Sequence, residues 1–572
     1  MKHAYSALII VLFGCGPKDR GSSPPASPSP SDAVGAHDGH DEHAGPSWSL
    51  ERLAEGAILL PDLGEWRREV TTGSAEAQAF FDQGLALTYG FNHDEAARSY
   101  AKAGSLDPNC AMCWWGAAYT MGPNYNMPML PERAEAAWDA LQRARQAAAG
   151  ATPVEQALIE ALATRYAGPE YLEPEAMQVY NEAFAAAMRE VAEQFPDDLD
   201  VQVLFAEALM NVNPWKLWTP EGQPTPGTEE IVAALESVLE RAPEHPGANH
   251  YYIHAVEASR QPERAEAAAD RLAGLVPGAG HIVHMPAHIY QRVGRYADAS
   301  EANRRAAEVD EQYLARVDPP GYYPFYIAHN YGFLAYSASM EGRSAVALEA
   351  SRKSAAMSPR DVVCTMPGMD FFLSEPLLVM VRFGRWDELL AEPQPDPKYP
   401  VLSALWHHAH GMALAATGKL DEARADLAAI EQIRQTIPEE LLAGLNAGRA
   451  VLELAAKVLE ARIAEAEKAP NTIALWEAAV KLEDQLAYNE PADWFYPTRH
   501  YLGAALLDAG KAKEAIAVYE ADLVDNPRNG WALFGLWQAQ LAANQNAKAG
   551  QTKALFDQAW ARADFELTRT AF

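Results

Sequence analysis

Basic residues are scarce in this 572-residue chain: 46 lysines and arginines stand against 78 aspartates and glutamates, for a net charge of −32. No basic tract offsets the acid. That balance excludes a nucleic-acid partner, because a phosphate backbone would be repelled, and leaves a metal cation or a cationic partner open. A glycine-rich phosphate loop, a nucleophile elbow and the HExxH zinc-protease signature are all missing, so an enzymatic reading rests on histidines alone. Runs of β-branched residues are few, while Ala, Leu and Glu abound, which points to helices throughout. Cysteine is sparse, with four in all. CAMC, holding Cys110 and Cys113, is followed by Trp114 rather than histidine, so it does not fit haem attachment. It is open to a local disulfide, a redox pair or a soft Cu(I) site helped by Met112. Cys364 stands alone.

At the N-terminus Lys2 precedes the apolar run Ala7 to Phe13, which is too short to span a bilayer as a mature helix and is shaped like a signal peptide. The run ends Leu12-Phe13-Gly14-Cys15, which resembles the lipobox of bacterial lipoproteins. The resemblance implies a signal peptide over 1–15 with Cys15 as the lipidated residue. Gly16 after the cysteine points to a periplasmic, outer-membrane address in a host with two membranes. Export implies an oxidising compartment. Residues 16–47, rich in Ser, Pro, Gly and Asp, are expected to form a disordered tether. Within it AHDGHDEHAG sets His37, His40 and His43 among acids, either a loose Zn²⁺ or Cu²⁺ site or a solvated linker.

Histidine is concentrated in GANHYYIHAVEASRQPERAEAAADRLAGLVPGAGHIVHMPAHIYQRVGR, residues 247–295. The spacing predicts a helix carrying His250, His254 and Glu257, a second around Glu263 to Leu275, and a third carrying His281, His284 and His288. His250/His254 and His284/His288 are i,i+4 pairs, so each lies on one helix face. The pairs also share a register. Counting back from Arg260 and from Gly294, both stand ten and six residues earlier (260−250, 260−254; 294−284, 294−288). The two slots are 34 residues apart (294−260), the period of the tetratricopeptide repeat. Gly342, Gly384, Gly418 and Gly510 fill the same helix-ending slot further on. His329 stands thirteen before Gly342, as His281 does before Gly294, and His408 and His500 fall ten before Gly418 and Gly510.

The repeats begin near Ala75, where AEAQAFFDQGLALTYGFNHDEAARSYAKAGSLDP carries the small and aromatic residues that let paired helices pack closely. GPNYNMPMLP and NPWKLWTPEGQPTPG interrupt the pattern as aromatic loops, of the kind that often carries function. One hairpin cannot bury its own apolar face, so residues 48–572 are expected to be an all-α solenoid of about eight to ten stacked hairpins. FNHDEAARSY, LDPNCAMCWWG, GPNYN, HMPAHIYQRVGRY and HNYGFLAYSASMEGR resemble a bacterial family of exported tetratricopeptide repeat proteins, from about residue 75 to the end. The resemblance implies that the first helix of each hairpin lines a concave groove. It places His250, His254, His281, His284, His288 and His329 in groove-facing slots, and such grooves usually grip an extended peptide.

The cluster admits three chemistries. Imidazoles from adjacent helices, with Glu257, form a ligand set for Zn, Cu, Ni or non-haem Fe, since helices packed about 8–10 Å apart can share an ion. Neutral histidines with Asn249, Asn330, Tyr252 and Tyr290 could instead hydrogen-bond a peptide, carboxylate ligand or partner protein. Or the histidines only satisfy buried carbonyls. His408 is expected to face with the groove set, His407 and His410 to be buried on the packing side, and His93 to cap or pack a hairpin turn.

Overall fold

The computed structural model describes residues 48–220, 222–317, 323–358, 363 and 367–572. The signal peptide, Cys15, the tether with His37, His40 and His43, and Cys364 lie outside them. From Ala75–Tyr89 to Asn546–Ala559, helix follows helix, and the packing contacts run chiefly between successive helices. This is the expected all-α solenoid. Among the described residues the only named strands are the two-residue pair Leu442–Ala443 and Asn446–Ala447.

The helix-ending slots hold from Gly294 onward, but not at Arg260, where the helix has already stopped at Val256. Gly294, Gly342, Gly384, Gly418 and Gly510 all have positive φ, and so does Asn544, one 34-residue period beyond Gly510 (544−510). A left-handed residue after the last turn lets the chain reverse into the next helix, and glycine and asparagine take that conformation most readily. The predicted helix through His281, His284 and His288 is split into Gly280–His284 and Pro286–Arg292. Pro286 has no backbone N–H, so the ladder is interrupted there, although Met285 keeps right-handed helical angles.

The groove is not open. The superhelix brings the Ala75–Tyr89 helix against the Pro246–Val256 helix, and C-terminal residues meet the middle repeats, Pro527 at Gly294 and Trp560 at Gly342. Trp531 Nε1 donates to the Ser339 carbonyl at 2.8 Å, and Arg562 pairs with Glu341 at 3.0 Å. Two apolar cores result, one spanning mostly 48–302 and the other mostly 296–571. The expected groove wall lies along their seam: Phe333 belongs to the first core, Met127 and Leu130 to the second.

Candidate metal centre

Five of the predicted ligands on this seam, His250, His254, His281, His284 and His288, are between 0 and 3 % exposed, and His329 is half-buried. They fall into two sets. Ligand-capable nitrogens of His250, His254 and His281 lie within 4.8 Å of one another, and so do those of His284, His288 and His329. The two register-matched pairs stay in separate sets, and each meets one histidine from the following first helix.

Most of these rings are held by their outer nitrogen. His250 Nδ1 donates to the Tyr89 carbonyl at 2.5 Å, reaching the Ala75–Tyr89 helix. His254 Nδ1 donates to Glu257 Oε1 at 3.0 Å. His284 Nδ1 donates to Asn303 Oδ1 at 2.6 Å, and the Asn303 amide is oriented by its own donation to the Ala299 carbonyl at 2.8 Å. His288 Nδ1 lies 2.9 Å from both Glu257 Oε2 and Glu490 Oε2, without the alignment of a regular hydrogen bond. The inner nitrogens are bare: Nε2 of His250 and His254 and both nitrogens of His281 have no hydrogen-bond partner among the described residues. Nε2 of His284 and of His288 stand 3.0 Å apart. Ligand atoms about 2.0–2.1 Å from one tetrahedral ion are themselves about 3.3 Å apart, so this spacing suits a shared ion.

Burial pushes His250, His281 and His284 well below the usual histidine value, His254 below it, and His329 down to about 3. These rings are therefore neutral, the form that coordinates metal. Burial acts the same way on His288, but Glu257 and Glu490 outweigh it and raise the ring. Burial likewise opposes the Glu257 carboxylate, yet His288 and His254 hold its pKa down, while burial raises Glu490.

A cavity of about 720 Å³ lies in front of the rings, bordered by His254, His281, His288 and His329. Its walls are mainly apolar and come from Pro367–Leu378, Pro438–Leu445 and Asn489–Phe495, which occupy the expected open groove. The two aromatic loops converge here. Tyr125 stacks on Trp215 at 5.3 Å, and the two rings pack on His254 at 5.2 and 5.7 Å.

The polar residues proposed for a peptide groove make their bonds elsewhere, with only Asn330 Oδ1 left unpartnered among the described residues. Asn249 donates to the Pro243 carbonyl, Tyr252 to Glu236, Tyr290 to Asp270 and Asn330 to Asp310. His408 lies apart from the cluster, buried, with one nitrogen on the Ala455 carbonyl at 2.9 Å and the other on the Tyr496 hydroxyl at 2.6 Å. His407 and His410, expected to be buried, are partly exposed because both turn to Asp426, at 2.7 Å each. His93 is buried at the start of its helix and packs on Phe91, its Nδ1 3.2 Å from the Asn124 amide. Cys110 and Cys113 form a disulfide, the first of the three possibilities.

Glu490 and Asn303 were not singled out from the sequence. Glu490 sits in a non-repeating stretch far along the chain. Asn303, on a second helix, carried one usable signal: it stands 19 residues after His284 (303−284), on the helix that pairs with the histidine helix.

No protein-family model matches this chain, and no curated protein matches it either. Among solved structures it is similar to the human IFIT1 dimer with m7Gppp-AAAA, at 12 % identity over 86 % of this chain and 91 % of that one, TM-score 0.31. It is also similar to yeast Tom70, at 11 % identity over 83 % and 90 %, TM-score 0.26. A third likeness is to the P58(IPK) TPR domain, at 11 % over 83 % and 100 %, TM-score 0.21. Likeness at this level carries no information about ligand or partner.

Proposed function

We propose that this protein is a helical-repeat metal protein. Its buried histidines hold a transition-metal ion of the Zn, Cu, Ni or Fe kind at the floor of the cavity, for metal handling or to position another ligand. One observation carries the reading: Nε2 of His250 and His254 and both nitrogens of His281 are buried without partners, while the outer nitrogens of the first two are anchored. An unsatisfied buried polar group costs about 1–3 kcal/mol, which coordination of an ion would offset. Anchoring by carbonyl, carboxylate and amide oxygens is the usual support for imidazole ligands, since it fixes ring and tautomer. His408, apart from the cluster, has both nitrogens bonded, whereas the buried His93 also keeps one nitrogen unpartnered among the described residues, so it is the meeting of three such rings, not any one of them, that supports the reading. A scaffold that binds a peptide or partner protein without metal stands second, because its polar contacts are engaged within the protein. A lipid anchor at Cys15 and a periplasmic, outer-membrane address belong to the proposal and rest on the sequence of residues 1–47.

The test uses the full chain, untagged, with His37→Ser, His40→Ser and His43→Ser so that the tether binds nothing. Elemental analysis should find stoichiometric metal in this parent and none after His254→Gln with His288→Gln, while circular dichroism stays helical, because glutamine keeps polarity and helix propensity. Metal held equally well by the double variant would sink the proposal and move the peptide-binding scaffold ahead.

A further inference from the structure

Six imidazoles exceed what one ion needs, and the repeat arranges them in two equal sets. His250 and His254 stand ten and six before Arg260, as His284 and His288 do before Gly294, and their third ring, His281, stands thirteen before Gly294 on the next first helix. Advancing each member by one repeat gives His284, His288 and His329, thirteen before Gly342. The triangles match: ring centroids are 4.9, 5.0 and 6.2 Å apart in the first and 4.8, 4.9 and 6.0 Å in the second. One phenylalanine backs each set and touches all three rings. Phe91 lies 4.7, 5.8 and 6.0 Å from His250, His254 and His281. Phe333 lies 5.0, 4.8 and 5.6 Å from His284, His288 and His329.

We infer that the chain holds two transition-metal ions side by side, one on His250, His254 and His281 and the other on His284, His288 and His329. This rests on the metal reading above and extends it. Between the sets, His254 faces His288 at 6.0 Å and His281 faces His284 at 5.7 Å, no farther than rings within a set. Both ions are therefore within reach of one bridging ligand, as in other two-metal sites. Three imidazoles leave a fourth position at each ion. His254, His281, His288 and His329 border the cavity, so these positions open onto it. Its mainly apolar walls suit a small molecule with an oxygen or nitrogen donor and an apolar body. Glu257 and Glu490 are positioning residues, both on the outer nitrogen of His288.

The parent used above is loaded with Zn²⁺ or, under argon, with Cu⁺, then desalted and counted by native mass spectrometry. Two ions are expected in the parent. One is expected after His250→Gln with His281→Gln, and one after His284→Gln with His329→Gln. A parent count of one overturns the pair and leaves the metal reading standing; a count of zero overturns both. If Glu490→Gln removes an ion while the His284/His329 variant keeps two, the second ion sits on Glu257, His288 and Glu490, and the assignment by repeat fails. The parent count decides even if a variant does not fold.

Discussion

Tyr89 serves the centre twice: its carbonyl accepts from His250, and its hydroxyl donates to Asp200 at 2.6 Å. Asp200 also accepts from Trp66 Nε1 at 3.0 Å and lies 3.1 Å from Arg68 Nη1 and 3.2 Å from His245 Nε2. Burial alone would raise its carboxyl; hydrogen bonds and charge from His245, Arg68 and Tyr89 outweigh burial and hold it well below the usual range. A depressed carboxylate contributes stability that is complete above its unfolded value, about 3.9, and is lost as pH falls through the folded one. Asp200→Asn should therefore cost about 3 kcal/mol at pH 7, with a deficit that shrinks in strong acid. Urea midpoints of parent and variant at pH 7 and pH 3 measure it, and a deficit unchanged by pH would contradict the assignment. At this scale the six histidines were legible because i,i+4 spacing and repeat register are one-dimensional. The anchors were not: the Tyr89 carbonyl is 161 residues from His250, and Glu490 is 202 from His288 (490−288).

The Pro246–Val256 helix reaches Tyr89 because Gly247 lets it. A Cβ on Gly247 would stand 2.4 Å from Tyr89 Cδ1, a distance no side chain tolerates, so the two helices touch where the glycine sits. Gly247→Ala should push them apart and cost about 1–3 kcal/mol, lowering the melting temperature and weakening metal binding together through His250. An unchanged melting curve with unchanged affinity would show that the close approach is dispensable. The helices themselves were readable from periodicity and from the glycine slots. The break at Pro286 escaped because the histidine spacing continues across it, and the wall segments 438–445 and 489–495 escaped because irregular backbone has no period.

For the whole molecule, closure decides the character of the site. The resemblance implied a concave groove with the histidines facing it; four of them, His254, His281, His288 and His329, border the cavity, and that 367–378, 438–445 and 489–495 fill the concavity follows only from the superhelical path. The described residues include no helix long and apolar enough to cross a membrane, so attachment through residues 1–15 is testable by itself. Cys15→Ser should move the protein from the membrane pellet to the wash in carbonate, since one short apolar segment holds poorly without lipid. Equal retention would remove the anchor from the proposal. The wall segments have a kinetic consequence. Every one lies C-terminal to His329, so a chain that emerges and folds from its N-terminus presents both histidine sets before their cover exists. On the metal proposal, an ion captured then is covered on its cavity side when those segments dock, and its exchange should be slower in the finished protein than in a chain that ends before residue 367.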